Sequence, residues 1–134
     1  MAISPVSTGD SLLNGILDRI RAPEYGKDLR SPLVDAVNRC FTLAILRTGS
    51  PRNGVTRDAI NEHVARIRTA YYGEEVRDAL KTVLILCHAA GDLEVSSAEN
   101  NFLNQMIEAQ TGEDIRNGML NSIAGCGQAL IRTI

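Results

Sequence analysis

The chain has 134 residues, a mass of 14.5 kDa and a formal net charge of −2. Hydrophobic residues make up 44% and charged residues 22%, which excludes a disordered chain and marks one ordinary domain over 1–134. Aromatics are only 4% with no Trp, so the core must be built from Leu, Ile, Val and Ala. The weak acidic balance argues against a nucleic-acid-coating protein. No apolar run is long enough to cross a membrane, and MAISPVSTGDSLLNG has neither the basic start nor the apolar stretch of a signal peptide.

The first segment with helical spacing carries Leu13, Ile16, Leu17 and Ile20. The second carries Leu33, Val37 and Cys40, the third Ile60, Val64 and Ile67, and the fourth Leu80, Leu84 and Cys87. The fifth carries Phe102, Leu103 and Met106, opened by Ser96-Ser97-Ala98-Glu99 in the capping-box pattern. A sixth runs toward Cys126. The connections TGSPRNGVT and AGDLEVSS are turn-rich but short, as expected of turns inside a domain. The expected fold is all-α, with about six helices.

These segments repeat. IRAPEYGKDLRSPLVDAVNRC (20–40), IRTAYYGEEVRDALKTVLILC (67–87) and MIEAQTGEDIRNGMLNSIAGC (106–126) align without gaps. With Gly26, Gly73 and Gly112 as origins, an acid follows two residues on: Asp28, Glu75 or Asp114. An aliphatic residue is next (Leu29, Val76, Ile115), then an arginine (Arg30, Arg77, Arg116). A cysteine lies fourteen residues after each glycine, and Ile20, Ile67 or Met106 six before it. The expected units are 8–47, 55–90 and 95–134, each a helix, a linker and a helix, packed as one bundle or a short superhelix. Ser31, Asp78 and Asn117, at one aligned position, are suited to N-cap the second helix of each unit, with Pro32 as a first helical residue. The aligned glycines are suited to end the first helix in a left-handed turn.

Twelve of the fourteen basic residues are arginine, whose planar fork suits carboxylates and phosphates. Charge is uneven: residues 91–134 carry two basic and six acidic side chains. Two readings of Arg30, Arg77 and Arg116 follow. They pair with linker acids or with carbonyls at the end of a first helix, or they join helix N-termini as sites for phosphate or carboxylate. Arg21 and Arg68 and the tyrosines Tyr25, Tyr71 and Tyr72 flank the same linkers, where the rings either fill the gap between helices or form a stacking surface. The candidate binding set is therefore Arg21, Tyr25, Arg30, Arg68, Tyr72, Arg77 and Arg116.

The three cysteines on apolar helix faces read as small buried hydrophobes. The alternative is a zinc site at a shared axis, with His88 as a further ligand. His63 aligns with Ile16 and Phe102 and is expected half-buried, while His88 stands near a helix end, in reach of its dipole. No nucleophile elbow, P-loop, HExxH or GxGxxG occurs. No enzyme, cofactor or metal is expected.

The strings RTAYYGEEVRDAL and RAPEYGKDLRSPLVDA resemble a motif, roughly IRxAxYGxxVRxxI. It is associated with N-terminal segments of tail-fibre, baseplate and related proteins of bacteriophages and prophages of Gram-positive bacteria. There it usually stands once, ahead of coiled-coil or adhesin regions. The matching residues are Ile67, Arg68, Tyr72, Gly73, Val76 and Arg77, and Ile20, Arg21, Tyr25, Gly26, Leu29 and Arg30. The third unit departs from it, with Ile107 and Thr111 in place of Arg and Tyr. The resemblance implies a structural or interaction module of the virion that docks onto other protein subunits. The uneven charge suits self-association, and charge and hydropathy point to no nucleic-acid or membrane partner. The alternative is a small phage-encoded protein acting in the host cytoplasm, which binds an anionic nucleotide or blocks a defence protein through its Arg/Tyr linkers.

Overall fold

A computed structural model describes residues 8–22, 28–70 and 73–132. Among these there are six α-helices: α1 (Ser11–Arg21), α2 (Arg30–Thr48), α3 (Arg57–Thr69), α4 (Gly73–Ala90), α5 (Ser97–Glu108) and α6 (Gly112–Ile131). The all-α expectation is met.

The even helices are the interior. α2, α4 and α6 each pack on the other two, and each of α1, α3 and α5 lies against the helix that follows it. The inward positions of α2 are Leu33, Val37, Cys40 and Ala44, spaced four, three and four apart. That is the spacing of a coiled-coil seam. α4 and the residue after it repeat it with Leu80, Leu84, Cys87 and Gly91, and α6 with Met119, Ile123, Cys126 and Leu130, all of them buried. One layer is seen directly: a Cβ built on Gly91 would stand 2.5 Å from Cδ2 of Leu130 and 3.4 Å from Cβ of Ala44. Only the absence of a side chain at residue 91 admits the leucine.

The outer helices bury a narrower stripe: Leu13, Leu17 and Ile20 in α1, Ile60, Val64 and Ile67 in α3, and Leu103 and Met106 in α5. Their starts are capped by side-chain oxygens. Asp10 accepts from the Leu13 amide, Thr56 from Ala59 and Ser96 from Glu99, and Glu99 returns the bond in a full capping box. α5 and α6 approach closely because Gly118 has no side chain; a Cβ there would meet Cα of Met106 at 2.6 Å.

Two local expectations are corrected. Asp78 and Asn117 lie inside α4 and α6, and Ser31 is the second residue of α2, so none of the three is an N-cap. The chain enters helix earlier, and for α6 the cap is Thr111, whose oxygen accepts from the Asp114 amide. Pro32 therefore sits third in α2, still within the first turn, where no intrahelical N–H is required. Gly73 and Gly112 begin helices rather than ending them, and among the described residues the left-handed glycines are Gly49 and Gly54, in the connection before α3. α3 and α5 leave helix through extended residues, Ala70 (ψ 133°) and Ala109 (ψ 140°). Gly26 lies outside the described residues.

Candidate functional site

The linker arginines are anchored by the first turns of the even helices and are half-buried. Each reaches across to the C-terminal end of an outer helix other than the one that precedes it in sequence. Nη2 of Arg30 donates to the carbonyl of Ala70, at the end of α3, at 2.7 Å. Nη1 of Arg77 lies 3.1 Å from the Met106 carbonyl, 3.1 Å from that of Ile107 and 2.9 Å from that of Ala109, all at the end of α5. Nη1 of Arg116 donates to the carbonyl of Arg21, the last residue of α1, at 3.2 Å. The final carbonyls of a helix have no intrahelical donor and carry its negative end. A guanidinium answers both needs, so α3 and α5 can end without a left-handed glycine.

Asp28 stands beside Arg30 of its own linker. Oδ1 of Asp28 accepts from the Arg30 backbone amide at 2.9 Å and lies 3.8 Å from its Nε. Asp114 belongs to the capped first turn of α6.

The remaining candidate residues are placed separately. Arg21 pairs with Asp18 at 2.7 Å on the surface of α1. Arg68 is exposed on α3 and, with Arg30, Ser31, Val34, Asp28 and Asp35, lines an open groove of about 280 Å³. Two carboxylates stand there with two guanidiniums, so the groove is not a cationic pocket. Tyr25, Tyr71 and Tyr72, and the stacking surface expected of them, lie outside the described residues.

The thiols are core groups. Cys40, Cys87 and Cys126 are fully buried. The Cys126 thiol faces the Leu84 carbonyl, and the Cys87 thiol faces that of Val37. The neighbouring Cys40 thiol, and then burial, push the Cys126 thiol well above its ordinary value; burial does the same to Cys87. A thiol so held is neither nucleophile nor ready ligand. Among the described residues no group of three His, Cys, Asp or Glu side chains could hold a metal ion.

Sequence reasoning missed a buried polar pair. His88 donates from Nδ1 to the Leu84 carbonyl at 2.9 Å, and its Nε2 contacts Oε2 of Glu99. The pair joins the end of α4 to the start of α5, with side chains only 3% and 15% exposed. The eleven-residue separation crosses a turn and follows no motif spacing; the one available signal was a histidine beside a core cysteine. His63 is half-buried as expected, 3.3 Å from Arg66, and partial burial followed by that charge holds its imidazole below the ordinary value.

No protein-family model, no curated protein and no solved structure matches the chain. Among the described residues no helix is long and apolar enough to cross a membrane.

Proposed function

We propose that this chain is a non-enzymatic interaction module of phage or prophage type, a rigid helical block that docks onto other protein subunits as a tail or baseplate adaptor does. The observation that carries the reading is the use made of the motif arginines. The residues that give the sequence its resemblance to tail-associated proteins, Arg30 and Arg77 with Ile20 and Ile67, act in the clamp or in the core beneath it. The motif is thus a fastening between helices, which suits a protein whose task is to hold a shape. The alternative of an anionic nucleotide needs guanidinium groups turned to a ligand, and those of Arg30, Arg77 and Arg116 are turned to backbone carbonyls.

Mass spectrometry of purified particles from the source phage or induced prophage tests this. The adaptor reading expects the chain as a stoichiometric component that stays with tails when heads are removed. Its absence from particles, with the protein present in the infected cell, refutes the reading.

A further inference from the structure

We infer that the three helix–linker–helix units form a closed pseudo-threefold ring, in which the junction of the third unit with the first is built like the other two. This concerns how the block holds together and stands apart from what it docks onto.

Four sets of contacts carry it, and the first two run through all three junctions. The arginine of the first unit clamps the second unit's outer helix, that of the second clamps the third's, and Arg116 of the third clamps α1 of the first. Outer helices meet the preceding unit's inner helix in the same order: α3 on α2, α5 on α4, and α1 on α6. At two of the three junctions the position fifteen residues after the aligned glycine touches the position thirteen before the next one. His88 meets Glu99 in this way, and Gly127 meets Leu13 across the closing junction, where a Cβ on Gly127 would stand 2.3 Å from Cδ2 of Leu13. Finally, equivalent positions meet between the inner helices: Ala44, Gly91 and Leu130 form one layer, and the Cys87 thiol faces the Val37 carbonyl as the Cys126 thiol faces that of Leu84.

A stack of three units would leave its first and last members without a neighbour. Here α1 is held by α6, and Gly9 lies against Ile131, where an added Cβ would stand 3.1 Å from Cγ2. Every unit has two neighbours, so the ring should open as one cooperative body rather than fray from α1.

Hydrogen exchange on the full chain, resolved by helix, tests this with Arg116→Met. In a closed ring the substitution speeds the slowest-exchanging core amides of α2, α4 and α6 about tenfold or more, together with those of α1. Faster exchange confined to α1 overturns the ring. A circular permutant supplies a second reading. It is opened between the exposed residues Asn53 and Gly54, with Ile134 joined to Met1. The ring expects a monomer that melts in a single transition. A permutant that stays unfolded, or in which the α1–α2 unit melts separately, overturns it.

Discussion

Nη1 of Arg77 stands 2.9 Å from the carbonyl oxygen of Ala109, thirty-two residues away in sequence, and the same nitrogen reaches the carbonyls of Met106 and Ile107. One guanidinium thus closes the end of α5 from the first turns of α4. Replacing it with methionine keeps the aliphatic stem and removes the donors. Arg77→Met is expected to cost about 2 kcal/mol, the scale of a charged hydrogen bond to partly buried carbonyls. Arg30→Met, with one such carbonyl, is expected to cost less. Urea denaturation of both variants checks the order.

Gly118 and Gly15 should respond in opposite directions to alanine. At Gly118 the new methyl would meet backbone atoms of Met106 at 2.6 and 2.9 Å, and backbone cannot rotate aside. Gly118→Ala is therefore expected to lose about 2–3 kcal/mol through overpacking. Gly15 is exposed within α1, with nothing within 4 Å of its added Cβ. Gly15→Ala is expected to gain about 0.5–1 kcal/mol from helix propensity. Thermal melts of the two variants beside the parent separate the cases.

Asp10 caps α1 and holds Arg39 of α2 through two bonds of 2.7 Å. The hydrogen bond from Arg39 lowers the carboxyl below its ordinary value, against the opposing effect of burial. The folded state thus binds this proton less readily than the unfolded chain. The stabilisation is fully present above the unfolded carboxylate value near 3.8 and is lost as pH falls through the lower folded one. Asp10→Asn keeps a capping oxygen and removes the charge. Its deficit against the parent should be constant at neutral pH and close in strong acid, as read by denaturant titrations across that range.

The thiols supply a check on the core. The neighbouring Cys40 thiol and burial keep Cys126 protonated, and burial keeps Cys87 so. All three cysteines should resist a thiol reagent at pH 8 in the native protein, with rates at least about a thousandfold below those in denaturant. Fast labelling of a single equivalent in native buffer would place that cysteine outside the core.

His88 and Glu99 should show non-additivity. Removing either partner leaves a polar group in a closed site, so His88→Phe and Glu99→Ile are each expected to cost about 3 kcal/mol. The first unit and its neighbour carry Phe41 and Ile60 at the corresponding positions, both buried. The double variant makes the pair apolar in the same way and should recover much of the loss. A double-mutant cycle by denaturation measures the coupling.

Much of this was legible in the sequence. The three-to-four spacing of Leu33, Val37 and Cys40 located a buried face because burial repeats with the helix period. Ser96 and Glu99 announced the start of α5 because a capping box is a local arrangement. The starts of α4 and α6 lie earlier than Asp78 and Asn117 suggest, because more than one cap-forming residue precedes the buried face of α6. Thr111 took that role and left Asn117 inside the helix. The clamp was one of two open readings; its partners lie 29 to 95 residues away, a distance only the packed fold brings together. The His88–Glu99 pair was hidden for the same reason.

The central claim is that the repeated arginines fasten helices and do not bind anions. Isothermal titration of the full chain with inorganic phosphate and with a purine nucleoside triphosphate addresses it directly. The clamp expects no saturable heat with either, and a lower melting temperature for Arg77→Met. Saturable binding that Arg77→Met abolishes while its melting temperature stays that of the parent would contradict it.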